Sequence, residues 1–480
     1  MEDRKPTLTE RLADYWSCAR YEDLPPDTVR LAKRFLIDTL AAGIAGADTE
    51  VAQIVRRTVE ASLGVKAGAS VLWGRTETLP AREAALVNGT ASHALELDDF
   101  GGCGHSGAVV IPAVLALAVR PSTGSGRTES GTIRAERVEA RTLTGKDVIT
   151  AIVAGYDVAQ RVTEGAGGYR GHNDLGWHSS GTCGSFGAAA GAAKILGLDR
   201  ERFADALGIA GSFTGGIWAF LADGAMTKRF HPGKAAETGT SAALLAREGM
   251  TGPRQVLEAE WGGFFSTYAR GIAKAEATLK GLGEDFRIAR SGMKPYACCR
   301  GLHATLDALF ELMRETGADS TQIERMVVHG NEQNRVQFDR PQLETLLDAQ
   351  FSFQYALAVG AVSGRATLDQ FIPFRTNEPE VQRLMRATTV VADREQPPNT
   401  YPPLEIRFRD GRTIERHVKF GKGAPENPLS DDELRAKVVA QVEPVLGTQG
   451  CAALISCVAE LDAVRDMSEL TRLLVPARGA

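Results

Sequence analysis

With 480 residues, 43% of them hydrophobic and 24% charged, the chain has globular composition. It is too long for one ordinary core, since single cores stop growing near roughly 250 to 300 residues. A net charge of -5 argues against a nucleic-acid or anionic-membrane surface, yet it leaves room for a local cationic pocket that takes a small acid. Seven cysteines, with Cys298 and Cys299 as the only close pair, suit neither a disulfide framework nor a zinc knuckle, and "MEDRKPTLTERLADYW" lacks an apolar signal core; a cytoplasmic protein is expected.

In chain order, "PDTVRLAKRFLIDTLAAGIAG" places Val29, Ala32, Phe35, Leu36, Leu40 and Ile44 at spacings of three and four, which predicts one buried helix face and a stop near Gly46. "PAREAALVNGTASHALELDD" continues the helical texture. The most apolar long run, Ala108 to Val119, is too short to span a bilayer and contains Pro112. The polar stretch from Arg120 to Arg141 has no apolar face and reads as a surface loop. "GKDVITAIVAGYDVAQRVTEG", "GTCGSFGAAAGAAKILGLD", "RERFADALGIAGSF" and "GKAAETGTSAALLAREGM" are further helices. Many of the 51 glycines sit beside alanine in the first 300 residues, which suggests helices that approach closely.

After about Leu279 the texture changes. "IERMVVHG", "TTVVAD" and "PLEIRFRDGRTIERHVKF" read as strands, the last with a hairpin turn at Asp410-Gly411. "SDDELRAKVVAQVEPVLG" then returns to helical period behind Ser430 as N-cap, and is placed back against the first helices. The expected division is residues 1–275 helical, 276–425 of mixed α+β character, and 426–480 a helical return.

Four stretches concentrate reactive side chains. In "SHALELDDFGGCGHSG" a helix end delivers His93, Glu96, Asp98 and Asp99, and a glycine-rich loop brings His105 towards them. The alternatives are a solvated acidic edge or a metal set of His93, Asp98, Asp99 and His105; the histidines lack the spacing of a helical zinc pair. In "GWHSSGTCGSFG" His178 stands at a helix entrance, as a cap or as a site residue. "AMTKRFHPGKAA" puts Lys228 and His231 on one face if helical, with Arg229 and Lys234 directed elsewhere, Lys234 into solvent, and with Pro232-Gly233 as a structured turn. In "KPYACCRGLH" Lys294 and Arg300 flank a cysteine-rich turn near His303, and Cys298 reads as core.

Together, and in this order, these stretches resemble the MmgE/PrpD family, which includes 2-methylcitrate dehydratase, cis-aconitate decarboxylase and iminodisuccinate epimerase. "LIDTLAAGIAG", "GHSGAVVIPAVLALA", "DGAMTKRFHPGKAAETGTSAALLAREGMTGP", "KPYACCRGLHATLDAL", "FSFQYALA" and "ENPLSDDELRAKV" extend the likeness from about residue 30 to about residue 440. The resemblance implies a mainly α protein: a large all-helical domain made from both chain ends, a smaller inserted α+β lid, a cleft site between them, and a homodimer. It implies a small di- or tricarboxylic acid substrate, no metal and no organic cofactor, and hydro-lyase chemistry ahead of epimerisation or decarboxylation. Carried over by position, its catalytic neighbourhood falls on His105, His178, Lys228 and Lys294, with Glu96, Asp99, His231, Cys299 and Tyr355 around the substrate. Two departures stand out: Cys299 where the decarboxylases carry a histidine, and Glu96 where many members carry Asp.

Overall fold

The structure, a computed structural model, describes residues 5–63, 68–118, 142–395 and 401–477. The expected surface loop at Arg120 to Arg141 lies outside them.

The fold is mainly α with a smaller α+β part. The larger core is helix on helix, and it draws on both ends of the chain. Leu12, Trp16, Phe35, Leu36 and Leu40 from the start meet Val438, Leu454, Leu461 and Leu470 from the end. Helix Pro26–Gly46 stops at the predicted glycine, and its apolar face packs on helix Asp431–Ala459. That last helix starts with a capping box between Ser430 and Glu433. Its length and apolar composition would allow a membrane crossing, but it is broken by non-helical Gly447, and Leu434, Val438 and Val442 are buried inside the protein.

At the centre, helices Ala81–His93, Ser106–Ala118, Gly145–Gly165, Ser179–Leu196 and Thr227–Arg247 form a layer of close neighbours. Small residues make this possible. A Cβ on Gly233 would lie 2.3 Å from Thr90 Oγ1 and 2.4 Å from Leu86 O, and one on Gly89 would lie 2.7 Å from Gly233 Cα. Pro232-Gly233 is therefore not the expected turn. Both residues sit inside helix Thr227–Arg247, where Pro232 removes the helical hydrogen bond its N–H would make to Lys228 O, and the glycine is there for helix contact.

The smaller core surrounds a four-stranded sheet in the order Thr388–Ala392, Ile323–Gly330, Leu404–Phe408, Thr413–Arg416. The first pair is parallel and the others antiparallel, with the hairpin at the predicted place. Helices His303–Thr316, Phe353–Ser363 and Pro379–Arg386 cover one side with Leu306, Leu309, Leu357 and Leu384. Leu95 and Leu97, from the turn after helix Ala81–His93, belong to this smaller core, so that turn is where the two parts meet.

The tight contact predicts an inverted substitution effect. Gly to Ala inside a helix ordinarily stabilises by about 1 kcal/mol, but Gly233→Ala is expected to destabilise by about 1–3 kcal/mol through overpacking, read from urea unfolding; a stabilised variant would contradict the contact.

Candidate active site

Helix Ala81–His93 ends at His93, and the chain turns through Ala94 to Asp99 with Glu96 at φ 55. Among the described residues Glu96 is the one non-glycine at positive φ, a conformation that costs energy and is kept where the surroundings enforce it. The turn alternates. Leu95 and Leu97 enter the smaller core, while Glu96 and Asp98 join a buried charged cluster.

Glu96 bridges two lysines from different parts of the chain. One carboxylate oxygen pairs with Lys228 Nζ in helix Thr227–Arg247, and the other accepts from Lys294 Nζ at 2.8 Å. All three side chains are buried. Burial alone would raise Glu96, but the two ammonium groups outweigh it and hold the carboxyl well below its usual range. Burial lowers Lys228, and Glu96 offsets this only in part. For Lys294, Glu96 and Asp98 overcome the effect of burial and raise it. Lys228 Nζ also lies 5.4 Å from the centre of the Phe351 ring, a cation–π contact.

Asp98 orients two imidazoles. His93 Nδ1 lies 3.0 Å from Asp98 Oδ2, and His105 Nδ1 lies 2.9 Å from the same atom and 3.1 Å from the carbonyl of Asp99. With their hydrogen-bond acceptors at Nδ1, and Glu96 Oε1 only at 3.6 Å from His93 Nε2, both rings carry their proton at Nδ1. His93 Nε2 then accepts from Lys228 Nζ at 3.0 Å, and His105 Nε2 has no hydrogen-bond partner among the described residues. The two rings are 3.9 Å apart at their centres. Burial holds His93 down to about 3 and His105 below its ordinary value, so both are neutral near pH 7.

A second imidazole pair faces them. His178, at the N-terminus of helix Ser179–Leu196, has its ring centre 6.2 Å from that of His105, and its Nδ1 is 2.9 Å from His231 Nδ1. Trp218 and Phe220 pack edge-on against His178. Burial lowers both imidazoles, His231 to about 4, and the nearby cation Lys228 pushes the same way.

The structure thus brings His105, His178, His231, Lys228, Lys294 and Glu96 together. Cys299 adjoins them, half-buried, its thiol raised by burial and by Glu96. Tyr355 is not brought in: its hydroxyl donates to Gln370 O and accepts from the Arg375 N–H, within the smaller core. Asp99 faces away from the cleft, accepting from Tyr156 Oη and from the Gly107 N–H, both at 2.9 Å. Burial and neighbouring Asp98 raise it well above the ordinary carboxyl range. The solvated acidic edge is overturned, since Glu96, Asp98 and Asp99 are all buried. Lys234 is exposed, as expected, and pairs with the buried carboxylate of Glu237.

The donor atoms of His93, Asp98 and His105 lie within 4.8 Å of one another, a grouping capable of holding an ion. Both Nδ1 atoms are, however, committed to Asp98, and the ammonium of Lys228 stands against His93, which disfavours a second cation.

A mainly helical molecule with an α+β part, and a buried acid–base cluster where the two meet, is the class that fold and geometry define. The chain belongs to the MmgE/PrpD family: residues 10–275 match its N-terminal domain and residues 296–463 its C-terminal domain. Among curated proteins it is 28% identical to "Cis-aconitate decarboxylase-like protein oryM" of Aspergillus oryzae, covering 97% of each chain. It is also 28% identical to cis-aconitate decarboxylase of Homo sapiens, over 98% of this chain and 94% of that one, and to that of Aspergillus terreus, over 98% and 96%.

Neutral buried histidines make stability pH-dependent with a definite sign. His93 is held at about 3 and His172, also buried, at about 4, against an ordinary 6.5. Below pH 6.5 the unfolded chain binds more protons, so the stability these groups supply is present above 6.5 and lost as pH falls towards 4, at about 1 kcal/mol per pH unit for each. Urea midpoints are expected to fall between pH 7 and pH 5; a constant midpoint would contradict neutral burial.

Proposed function

We propose that the protein is a lyase that moves a proton at the carbon next to a carboxylate of a small di- or tricarboxylic acid, with hydro-lyase chemistry as the first reading. The observation that carries this is His105, anchored at Nδ1 by Asp98 and without a partner at Nε2 among the described residues, beside two buried lysines. Family membership and the decarboxylase relatives support a lyase-type enzyme at the coarser level.

His105 Nε2 takes the proton, and Asp98 stabilises the imidazolium that forms. The electron pair moves towards the adjacent carboxylate, which gains charge. Fixed ammonium groups in a buried site stabilise that charge more than they stabilise the substrate. Glu96 already places a carboxylate between Lys228 and Lys294, which supports the view that the pair is built for such a group.

In dehydration the pair then forms the carbon–carbon double bond as the carbon–oxygen bond breaks. The departing hydroxide takes a proton from the His178–His231 pair and leaves as water. At rest that pair is held neutral by burial and by Lys228; a bound polycarboxylate adds negative charge and raises its proton affinity, so the pair takes up the proton it donates from solvent as substrate binds.

Decarboxylation is the second reading, favoured by the names of the relatives. There carbon dioxide is lost and an imidazole protonates the carbon. Cys299, where the family's decarboxylases carry a histidine, weighs against it.

The test is a screen of citrate, 2-methylcitrate, cis-aconitate and iminodisuccinate-like acids by proton NMR in deuterium oxide. Dehydration yields a vinylic product without carbon dioxide, decarboxylation yields carbon dioxide, and either supports a lyase. Deuterium exchange or epimer formation alone would replace lyase by epimerase, and inert substrates throughout would contradict the carboxylate reading.

A further inference from the structure

The turn that carries Glu96 and Asp98 is held through its carbonyl oxygens by side chains far away in sequence. Arg229, buried in helix Thr227–Arg247, donates from Nε to Ala94 O at 2.9 Å and from Nη2 to Gln350 Oε1 at 2.7 Å. Gln350, fully buried at the end of helix Leu346–Gln350, donates from Nε2 to Leu95 O at 2.9 Å and to Ala297 O at 3.1 Å. Lys437, in the C-terminal helix Asp431–Ala459, donates to Leu97 O at 2.6 Å and pairs with buried Asp38 of helix Pro26–Gly46. Three successive points of one turn are thus gripped from three elements.

Arg229 has no carboxylate hydrogen-bonded to its guanidinium among the described residues. A buried cation with only a carbonyl and an amide as acceptors is costly, and it is kept where its fixed fork sets geometry. The Gln350 amide cannot rotate without losing bonds on both sides, since its oxygen faces Arg229 and its nitrogen faces two carbonyls.

We infer that Arg229, Gln350 and Lys437 are positioning residues that fix the Ala94–Asp99 turn, and thereby set Glu96 between the two lysines and Asp98 on His105. None of them touches the reacting atoms in the proposed reaction. Lys437 makes the C-terminal helix part of the machinery although that helix supplies no acid–base group. The inference rests on the proposed function for its kinetic consequence, but the geometry it asserts can be read without substrate.

The experiment is the double variant Lys437→Met/Asp38→Asn in the full chain. It removes both members of an ion pair together, so no lone charge stays buried and the net charge is unchanged. His105 is faced by Asp98, Glu96, Lys294, Lys228, His93 and His178, none of which is replaced; Asp38 interacts with Asp98 and Lys294, and its loss is offset by that of Lys437. Two readouts apply to the folded variant.

The first is the histidine ring N–H signals in nitrogen-15 NMR, without substrate: the His105 Nδ1–H resonance, displaced by its bond to Asp98, is expected to move towards the free-imidazole position. The second is kinetic. kcat is expected to fall about 10- to 100-fold, the scale of small misplacements, with KM changed less than about 3-fold. Because Asp98 raises the proton affinity of His105, a loosened contact should shift the acid limb of kcat/KM to lower pH, which mere loss of folded protein would not do. Lys437→Arg, with its pairing to Asp38 retained, should keep most of the activity.

Unchanged ring signals and an unchanged acid limb would overturn the inference, even with lowered activity. Shifted ring signals in a protein that turns over no acid would uphold it while the proposed function fails. If the double variant does not fold, Gln350→Met serves instead: it adds no charge and cannot donate to Leu95 O, and the same outcomes apply.

Discussion

Two lysine ammonium groups are buried together against a single glutamate, and the site is organised around that constraint. Removing an ion from water carries a penalty of several kcal/mol even after relaxation, so Lys228 and Lys294 can be dry only while anions lie within contact. Glu96 serves both, with Asp98 at 3.6 Å from Lys294 as a second partner. To reach between them the chain takes a left-handed residue at Glu96, a strain that isolated turns avoid. Glu96 spans both ammonium groups, with one carboxylate oxygen on each.

That strained turn also joins the two halves of the molecule. Side chains alternate along it, so burial of Leu95 and Leu97 in the smaller core and burial of Glu96 and Asp98 in the charged cluster are one event. The cluster can form only when the α+β part is seated on the helical part. This accounts for a site assembled from residues 93 to 105, 178 to 231 and 294 to 299, with a grip from residue 437. A cut at the expected boundary after residue 275 would separate Lys294 from Glu96 and Asp98, its two buried carboxylate partners.

Local signals carried much of the fold. The apolar spacing and Gly46 marked helix Pro26–Gly46, Ser430 with Glu433 marked the start of the last long helix, and Asp410-Gly411 marked the hairpin, because caps and turns are decided within a few residues. Pro232 misled, because proline usually ends a helix and here stands inside one. At the site, the resemblance supplied His105, His178, Lys228 and Lys294, whose approach no spacing could reveal. The role of Asp98 was missed because two adjacent aspartates look alike in sequence; only the structure shows one turned to the imidazoles and the other to Tyr156. The alternation in "LELDD" was the available signal. Gln350 and Lys437 left none, because the turn carbonyls they hold, Leu95 O and Leu97 O, lie more than 250 residues away.

The claim at the centre is that Lys228 is held dry and charged to meet charge that develops on a carboxylate. Steady-state kinetics of Lys228→Met, with solvent-facing Lys234→Met as control, tests it on whichever acid the protein turns over. The methionine keeps the apolar stem and removes the charge. The account predicts that kcat and kcat/KM fall together by about 100-fold or more for Lys228→Met, the scale of losing one transition-state charge contact, while Lys234→Met stays close to the parent. Equal and small effects at the two positions would contradict it.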